Sequence, residues 1–163
     1  MTFTIASKEQ LPIVRDLAYR IWPDTYGATH TSVELDYMLS KFYAVDALEQ
    51  QMENGHVFVL AQENEVYVGF VAYEINSEHT SYTKIHKLYV LPETQGKGIG
   101  KALVDYVRKE AVIHKNDKLF LNVNKLNKAK DFYHRYGFAI TKDIVIDIGE
   151  GFVMDDYVME LTV

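Results

Sequence analysis

Gln95-Gly96-Lys97-Gly98-Ile99-Gly100-Lys101 lies between a strand-like run, Lys87-Leu88-Tyr89-Val90, and a segment whose apolar residues recur at helical spacing. A glycine-rich turn that opens a helix is suited to phosphate. The first helical N–H groups have no intrahelical partners, and together with the positive end of the helix dipole they form an anion site. Glycine lets the backbone itself approach the ligand. Two better-known phosphate loops are excluded by spacing. A dinucleotide fingerprint needs glycine where Lys101 stands, and a P-loop needs glycine at Gln95 and Ser or Thr at Ala102.

Outward from this turn, the chain alternates strand and helix patterns. Thr2-Phe3-Thr4-Ile5 reads as a strand, and Ser7-x-x-Gln10 as a capping box before a helix carrying Leu11, Val14, Ala18 and Ile21, with regular helix starting near Pro12 and broken at Trp22-Pro23. Thr31-x-x-Glu34 is a second capping box, preceding Leu35, Met38, Leu39 and Phe42. A short helix from about Asp46 to Glu53 stops at Asn54-Gly55. Runs at 56–61 and 66–73 flank the polar turn Glu63-Asn64-Glu65 and read as a hairpin, and a third run, Tyr82 to Val90, leads into the glycine turn. Beyond the turn, Ile99, Leu103, Tyr106, Val107 and Ala111 share a helical face. A strand at 119–124, a helix with Ala129, Phe132, Tyr133 and Tyr136 capped by Gly137, and two strands joined through Gly149-Glu150-Gly151 complete the chain. This order predicts a mixed α/β sheet. With no linker, repeat or low-complexity tract, one domain over residues 1–163 is the simplest organisation.

Composition narrows the function classes. With 163 residues, 48% hydrophobic and 25% charged, the chain has the bulk for one sizeable core. No apolar run approaches the ~18–20 residues of a membrane span, and no basic-then-apolar segment opens the sequence. The expectation is a cytoplasmic protein that does not engage a membrane. There is no cysteine, so disulfides, thiolate zinc sites and a cysteine nucleophile are excluded. Any thiol chemistry must belong to a cosubstrate. A formal charge of −6 argues against nucleic acid and is compatible with a cationic substrate.

Pro92 and Glu93 lead into Gln95-x-x-Gly98-x-Gly100, and in this context the sequence resembles the GCN5-related N-acetyltransferase (GNAT) family, whose coenzyme A pyrophosphate lies on such a turn. A second segment, Asn127-Lys128-Ala129-Lys130-Asp131-Phe132-Tyr133-His134-Arg135-Tyr136-Gly137-Phe138, is similar to the family stretch Asn-x-x-Ala-x-x-Phe-Tyr-x-x-x-Gly-Phe. The resemblance is most specific from Lys87 to Phe138. It implies a single GNAT domain with a mixed, mostly antiparallel sheet flanked by helices, acetyl-CoA as cosubstrate, and no metal. Gln95, Gly96, Lys97, Gly98, Ile99, Gly100 and Lys101 would hold the pyrophosphate, and the backbone of Leu88, Tyr89 and Val90 the acyl carbonyl. Tyr133 would protonate the leaving thiolate, although its spacing also fits a plain core tyrosine. The family's asparagine lies seven residues before that tyrosine, where this chain has Leu126. Asn127 lies six before it and suits a helix cap. Asn124, or Asn122 on the same strand face, can supply the polar contact to pantetheine instead.

An amine attacks a thioester only as the free base. At a pKa near ~10.4, roughly one lysine-like molecule in a few thousand qualifies at neutral pH, a handicap of about 4–5 kcal/mol. His86, two residues before Leu88, is the candidate base, since an unperturbed imidazole near ~6.5 suits proton abstraction. His56, His79 and His134 form no constellation, and no His or carboxylate pair has metal-ligand spacing. For the acceptor, Trp22 and Tyr26, within Ile21-Trp22-Pro23-Asp24-Thr25-Tyr26, resemble the wall of the acceptor site in bacterial polyamine acetyltransferases, and Met154-Asp155-Asp156-Tyr157-Val158-Met159-Glu160 is similar to their ending. Those acidic residues either attract a polycation or form the solvated face of a last strand. The resulting expectation is direct transfer from acetyl-CoA to a small primary amine such as a polyamine, with a protein or peptide acceptor, or a non-catalytic acyl-CoA sensor, as the alternatives. Many members of the family dimerise, and no apolar patch in the sequence marks a face for a homodimer.

Overall fold

The computed structural model describes residues 1–163. A seven-stranded sheet is formed by β1 (Thr2–Ile5), β2 (Val57–Glu63), β3 (Val66–Glu74), β4 (Tyr82–Val90), β5 (Lys118–Asn124), β6 (Ala139–Gly149) and β7 (Phe152–Thr162) in the order β1-β2-β3-β4-β5-β7-β6. All neighbours are antiparallel except β4 and β5. That one parallel pair requires a crossover, supplied by α4 (Ile99–Ile113). The mixed, mostly antiparallel sheet expected from the sequence is present.

Helices α1 (Leu11–Tyr26), α2 (Ser32–Tyr43) and α3 (Val45–Glu53) cover one face, and α4 with α5 (Ala129–Tyr136) the other. Strand alternation explains the division. Phe70 packs edge-on to Tyr43 of α2, whereas Tyr73, three residues on and so pointing oppositely, meets Tyr106 of α4. Both layers bury their apolar stripes, with Leu11, Val14, Ala18 and Ile21 on α1 and Leu103, Val104, Val107 and Ala111 on α4 all essentially inaccessible. No helix is long and apolar enough to cross a membrane.

Local signals account for most boundaries. Thr31 Oγ1 accepts from the Glu34 N–H at 3.1 Å while Glu34 accepts from the Thr31 N–H at 3.1 Å, the reciprocal pair of a capping box. Asn64 and Glu65 take left-handed φ values of 50° and 67°, which turns the β2–β3 hairpin within two residues. One expectation is corrected. Helix α1 does not break at Trp22-Pro23 but continues to Tyr26. Proline removes one helical donor, and burial of Trp22 and Tyr26 on the apolar face of the last turn offsets that loss.

The feature that positions the site is a parting of strands. β4 pairs with β5 only over Tyr82–Ile85 against Lys118–Leu121. Beyond Ile85, β4 stays with β3 as far as Val90, while β5 stays with β7 as far as Asn124. A wedge therefore opens between 86–90 and 122–124. A shift of register between Ala72 and Tyr73 leaves His86 as the extra residue in β4, where the parting begins.

Candidate active site

The glycine turn stands at the wide end of this wedge. A single-turn 3₁₀ helix, Pro92–Thr94, carries the chain out of β4, and Gly96 and Gly98 follow at φ of 83° and 78°. These left-handed angles are accessible to glycine without penalty. Gly98 caps α4 with no side-chain hydrogen bond, and the first helical bond runs from the Ala102 N–H to the Gly98 carbonyl at 3.0 Å. The N–H groups of Ile99, Gly100 and Lys101 are left without helical acceptors, as a phosphate site requires. Ile99 itself is buried, so only its backbone is available to a ligand. Gln95, Lys97 and Lys101 are exposed; Gln95 Nε2 donates to the Val90 carbonyl at 3.3 Å, and Lys101 pairs with Asp105 at 3.0 Å. Beside the turn, Lys101, Asp105, Arg108, Phe132, Arg135 and Tyr136 line a groove of ≈ 340 Å³ between α4 and α5. Arg108 went unremarked in the sequence, and the groove as a whole is not visible there because two helices contribute it.

Tyr133 is buried on α5, edge-on to Phe132 and Phe138 at 5.3 and 5.6 Å. Its hydroxyl has no partner in the protein. Burial, and the nearness of Tyr26, push it above the ordinary phenol value, so it keeps its proton. The ring is core, as its helical spacing predicts, and the hydroxyl remains unpaired.

On the opposite face, Trp22, Tyr26, Tyr43, Phe70 and Tyr89 form one aromatic wall, with Trp22 centred 4.8 Å from Tyr26 and 5.8 Å from Tyr89. The Tyr26 and Tyr89 hydroxyls share a hydrogen bond of 2.8 Å, and Asn127 Nδ2 donates to Tyr26 at 3.3 Å. Burial raises Tyr26 to about 12. Asn127 Oδ1 meanwhile accepts from the Ala129 N–H at 2.8 Å. The cap of α5 is Lys128 rather than Asn127; Asn127 stands one residue before it, with Oδ1 holding the first N–H of the helix and Nδ2 reaching Tyr26. Asn124 Oδ1 is turned to its own loop, accepting from the Leu126 N–H at 2.9 Å. Leu88, Tyr89 and Val90 lie on the unpaired flank of β4.

His86 is not alone. His56 stacks on it at 3.9 Å with planes 13° apart, and His86 Nε2 lies 2.9 Å from Glu74 Oε1. Opposite a carboxylate, Nε2 carries the proton, which leaves Nδ1 as the basic nitrogen. Burial, the stacked His56 and the charges of Lys84 and Lys87 lower His86 to about 2; burial and the same lysines lower His56 to about 4. A base that weak has little drive to take a proton. The expectation that His56 forms no constellation is corrected: it stacks on His86 beside Glu74, and these residues and Lys87 converge from two strands and the residue preceding a third, which spacing along the chain does not show. His56, Glu74 and His86 could in principle hold a cation. Imidazole lone pairs lie in the ring planes, however, and nearly parallel planes do not converge on a shared ion. Lys87 donates to Gln51 at 2.8 Å and lies over the Tyr43 ring at 5.3 Å, with burial lowering it to about 7.

The acidic ending divides by alternation. Asp155 is exposed and ion-paired with Lys125 at 3.1 Å, the solvated reading; Asp156 is 2% exposed, opposite Asn124 of β5. Burial raises its carboxyl to about 6, with Asp155 adding to the rise and Lys84 opposing it. Its spacing to the buried Val158, two residues on, is the sequence signal that distinguishes it from Asp155.

A parallel strand pair that parts beside a glycine-opened helix, with a buried neutral tyrosine on one side and an aromatic wall on the other, is the framework of an acyl-coenzyme A transferase. Residues 27–161 match the acetyltransferase (GNAT) domain family. The chain belongs to that family and is an acetyl-CoA-dependent N-acetyltransferase. Among curated proteins it is similar to the peptidyl-lysine N-acetyltransferase YjaB of Escherichia coli, 26% identical over 132 residues covering 80% of each chain. Among solved structures it shares its fold with the PaiA N-acetyltransferase of Thermoplasma acidophilum in complex with coenzyme A (TM-score 0.81, 22% identity, 100% of both chains). A GCN5-related N-acetyltransferase of Rhodopseudomonas palustris is likewise similar (TM-score 0.85, 15% identity, 99% of this chain and 95% of that one).

Proposed function

We propose that this protein transfers the acetyl group directly to a primary alkylamine, with the end of a polyamine as the leading acceptor. The observation that carries this reading is the wedge between β4 and β5, with an anion turn on the α4 side and an aromatic, carboxylate-bearing wall on the α1–α3 side. Coenzyme and amine then approach from opposite faces and meet at the unpaired flank of β4.

In this reading the N–H groups from Gly96 to Lys101 take the pyrophosphate, with Lys97 and Lys101 adding charge. The basic groove between α4 and α5 accommodates the nucleotide end. Pantetheine runs along the wedge past Asn124, and backbone N–H groups of Leu88 to Val90 polarise the thioester carbonyl. The amine attacks that carbon, the C–S bond breaks, and Tyr133 donates its proton to the departing sulfur. Tyr133 recovers a proton from the newly bonded nitrogen. Trp22 and Tyr26 guide the alkyl chain, and His86, tied to Glu74, stands at the narrow end of the wedge. The first proton of the ammonium must leave before attack.

A lysine side chain presents the same primary alkylamine, and the likeness to a peptidyl-lysine N-acetyltransferase favours it as the second reading. The test is release of coenzyme A thiol across a panel of polyamines, lysine peptides, amino sugars and amino acids. With no cysteine in the chain, a thiol reagent reports product without protein background. Preference for spermidine-like amines over a lysine peptide is expected. A reversed preference moves the assignment to the second reading, and silence from all amines would overturn both.

A further inference from the structure

We propose that Asp156 is the carboxylate that receives the acceptor, pairing with the incoming primary ammonium on the α1–α3 face and taking its proton before the nitrogen attacks the thioester. This rests on the reading above and supplies the proton step it left open.

Three observations converge on Asp156. It is 2% exposed, yet no hydrogen bond or ion pair holds it: Lys84, the cation whose charge reaches it, makes no ion pair with it, and Lys125 pairs with Asp155 and Asp143. A carboxylate this enclosed with no protein donor is unusual, because desolvation of a charge is normally compensated by a partner, and the little exposure it keeps leaves its oxygens reachable. An incoming ammonium would be that partner. Its position is also right. Strand register places it opposite Asn124, at the end of β5 that has left β4, and its charge is near enough to Tyr26 to raise that phenol further. Tyr26 in turn binds Tyr89 on the unpaired flank of β4 and Asn127 in the loop before Tyr133. Asp156 therefore lies within electrostatic reach of the hydrogen-bonded group that links both sides of the wedge.

Its chemistry fits better than that of His86. The carboxyl is raised to about 6, whereas the His86 ring is lowered to about 2 and spends Nε2 on Glu74. The charged and titratable groups that face Asp156 are Lys84 from β4, Tyr26 from α1 and Asp155 on its own strand. Opposite on β5 and β6 are the uncharged Asn124 and Ile144, with Lys142 a further pleat along β6 and open to solvent. The protons balance. The ammonium gives one to Asp156, and the amine attacks. The nitrogen loses its second proton as sulfur gains one through Tyr133, and Asp156 returns its own to solvent as the amide leaves.

The experiment compares Asp156→Asn with wild type on the amine that turns over best. At pH 7.5, kcat/KM should fall about 10²-fold, the lower range for loss of a general base, while the coenzyme Kd changes less than twofold. The deficit should shrink as pH rises toward 10, where the amine arrives as free base; Asp156→Glu should recover part of the rate at pH 7.5. A pH-independent deficit, an undiminished rate or a matching loss of coenzyme affinity would overturn the proposal. Independently of any variant, the carboxyl resonance of Asp156 in wild type, followed by NMR, should titrate at lower pH with saturating amine and coenzyme A than without amine. An unmoved midpoint would overturn it equally. Wild type that binds coenzyme but turns over no amine would refute the proposed function, and NMR with the amine panel would still decide the fate of Asp156.

Discussion

Replacing Asp156 by Asn should make the protein more stable, and by an amount that depends on pH in a specified window. The carboxyl rises from its ordinary 3.8 to about 6 on folding. At ~1.36 kcal/mol per tenfold change in proton affinity, this corresponds to about 3 kcal/mol. The folded state binds the proton more tightly, so the stability from this group is complete below pH 3.8 and is lost as pH rises through 6. Asparagine does not titrate. The difference between variant and wild type should be smallest near pH 4, grow through pH 5 and 6, and level off at up to about 3 kcal/mol above pH 7. The wild-type curve alone would not reveal this. His56 and His86, lowered on folding from 6.5 to about 4 and about 2, act oppositely, raising stability as pH climbs toward 6.5. Only the difference curve cancels them. Urea unfolding of both proteins at pH 4, 5, 6, 7 and 8, with two-state behaviour checked by two probes, gives it directly. A variant less stable than wild type at pH 8 would mean that Asp156 already has a stabilising partner in the folded chain, and the reasoning from burial would fail.

Tyr133→Phe keeps the packed ring and removes the unpaired hydroxyl; kcat should fall about 10²-fold with coenzyme Kd unchanged, and parallel loss of coenzyme binding in a calorimetric titration would assign Tyr133 to the core alone. Gly98→Ala forces a left-handed residue to carry a Cβ that meets no neighbouring atom. The expected loss is therefore backbone strain of about 1 kcal/mol, read as a lower midpoint in urea, and a loss above about 3 kcal/mol would show that the side chain clashes after all. Lys87→Met should be read as a difference from wild type: the amine lowered from 10.5 to about 7 makes wild type gain on the variant as pH rises from 7 to 10.5, while the buried tyrosines, raised in both proteins, cancel. Equal slopes in denaturant titrations at pH 7, 8.5 and 10 would place the Lys87 ammonium in water.

What the sequence disclosed follows the range of the interactions concerned. The glycine turn, the capping box at Thr31 and Glu34 and the hairpin at Asn64 are fixed by neighbours a few residues apart, and each is legible as a short pattern. The position of Tyr133 was likewise set by helical spacing within one segment. Pro23 was misread because local propensity favours a break there, whereas the decisive term is burial of Trp22 and Tyr26 against β4 and α2. The cluster around His86 was invisible for a related reason. His56 precedes β2, Glu74 ends β3 and His86 occupies a register shift in β4, so only sheet pairing brings them together. Asp156 lay between the two cases. Its neighbour Asp155 made the pair look like one acidic patch, and the alternation that separates them becomes decisive only once β7 is known to be covered on Asp156's face.

The proton path follows from the same division of the sheet into two faces. On the α4–α5 side the buried Tyr133 is neutral and holds its proton, which is what the proposed protonation of sulfur requires. On the α1–α3 side burial drives two histidines toward the neutral state and leaves Asp156 charged but unpaired near neutral pH. In the proposed mechanism an amine arriving as a cation on that side meets an unpaired anion, while the developing thiolate on the other meets a phenol. If proton acceptor and donor are separated in this way by the wedge itself, the Asp156→Asn, Tyr133→Phe double variant should lose the product of the two single losses rather than the larger one, because the two groups act at different steps and on different atoms. A double variant no slower than Asp156→Asn would show that both serve one proton relay, and the assignment of separate acid and base would have to be abandoned.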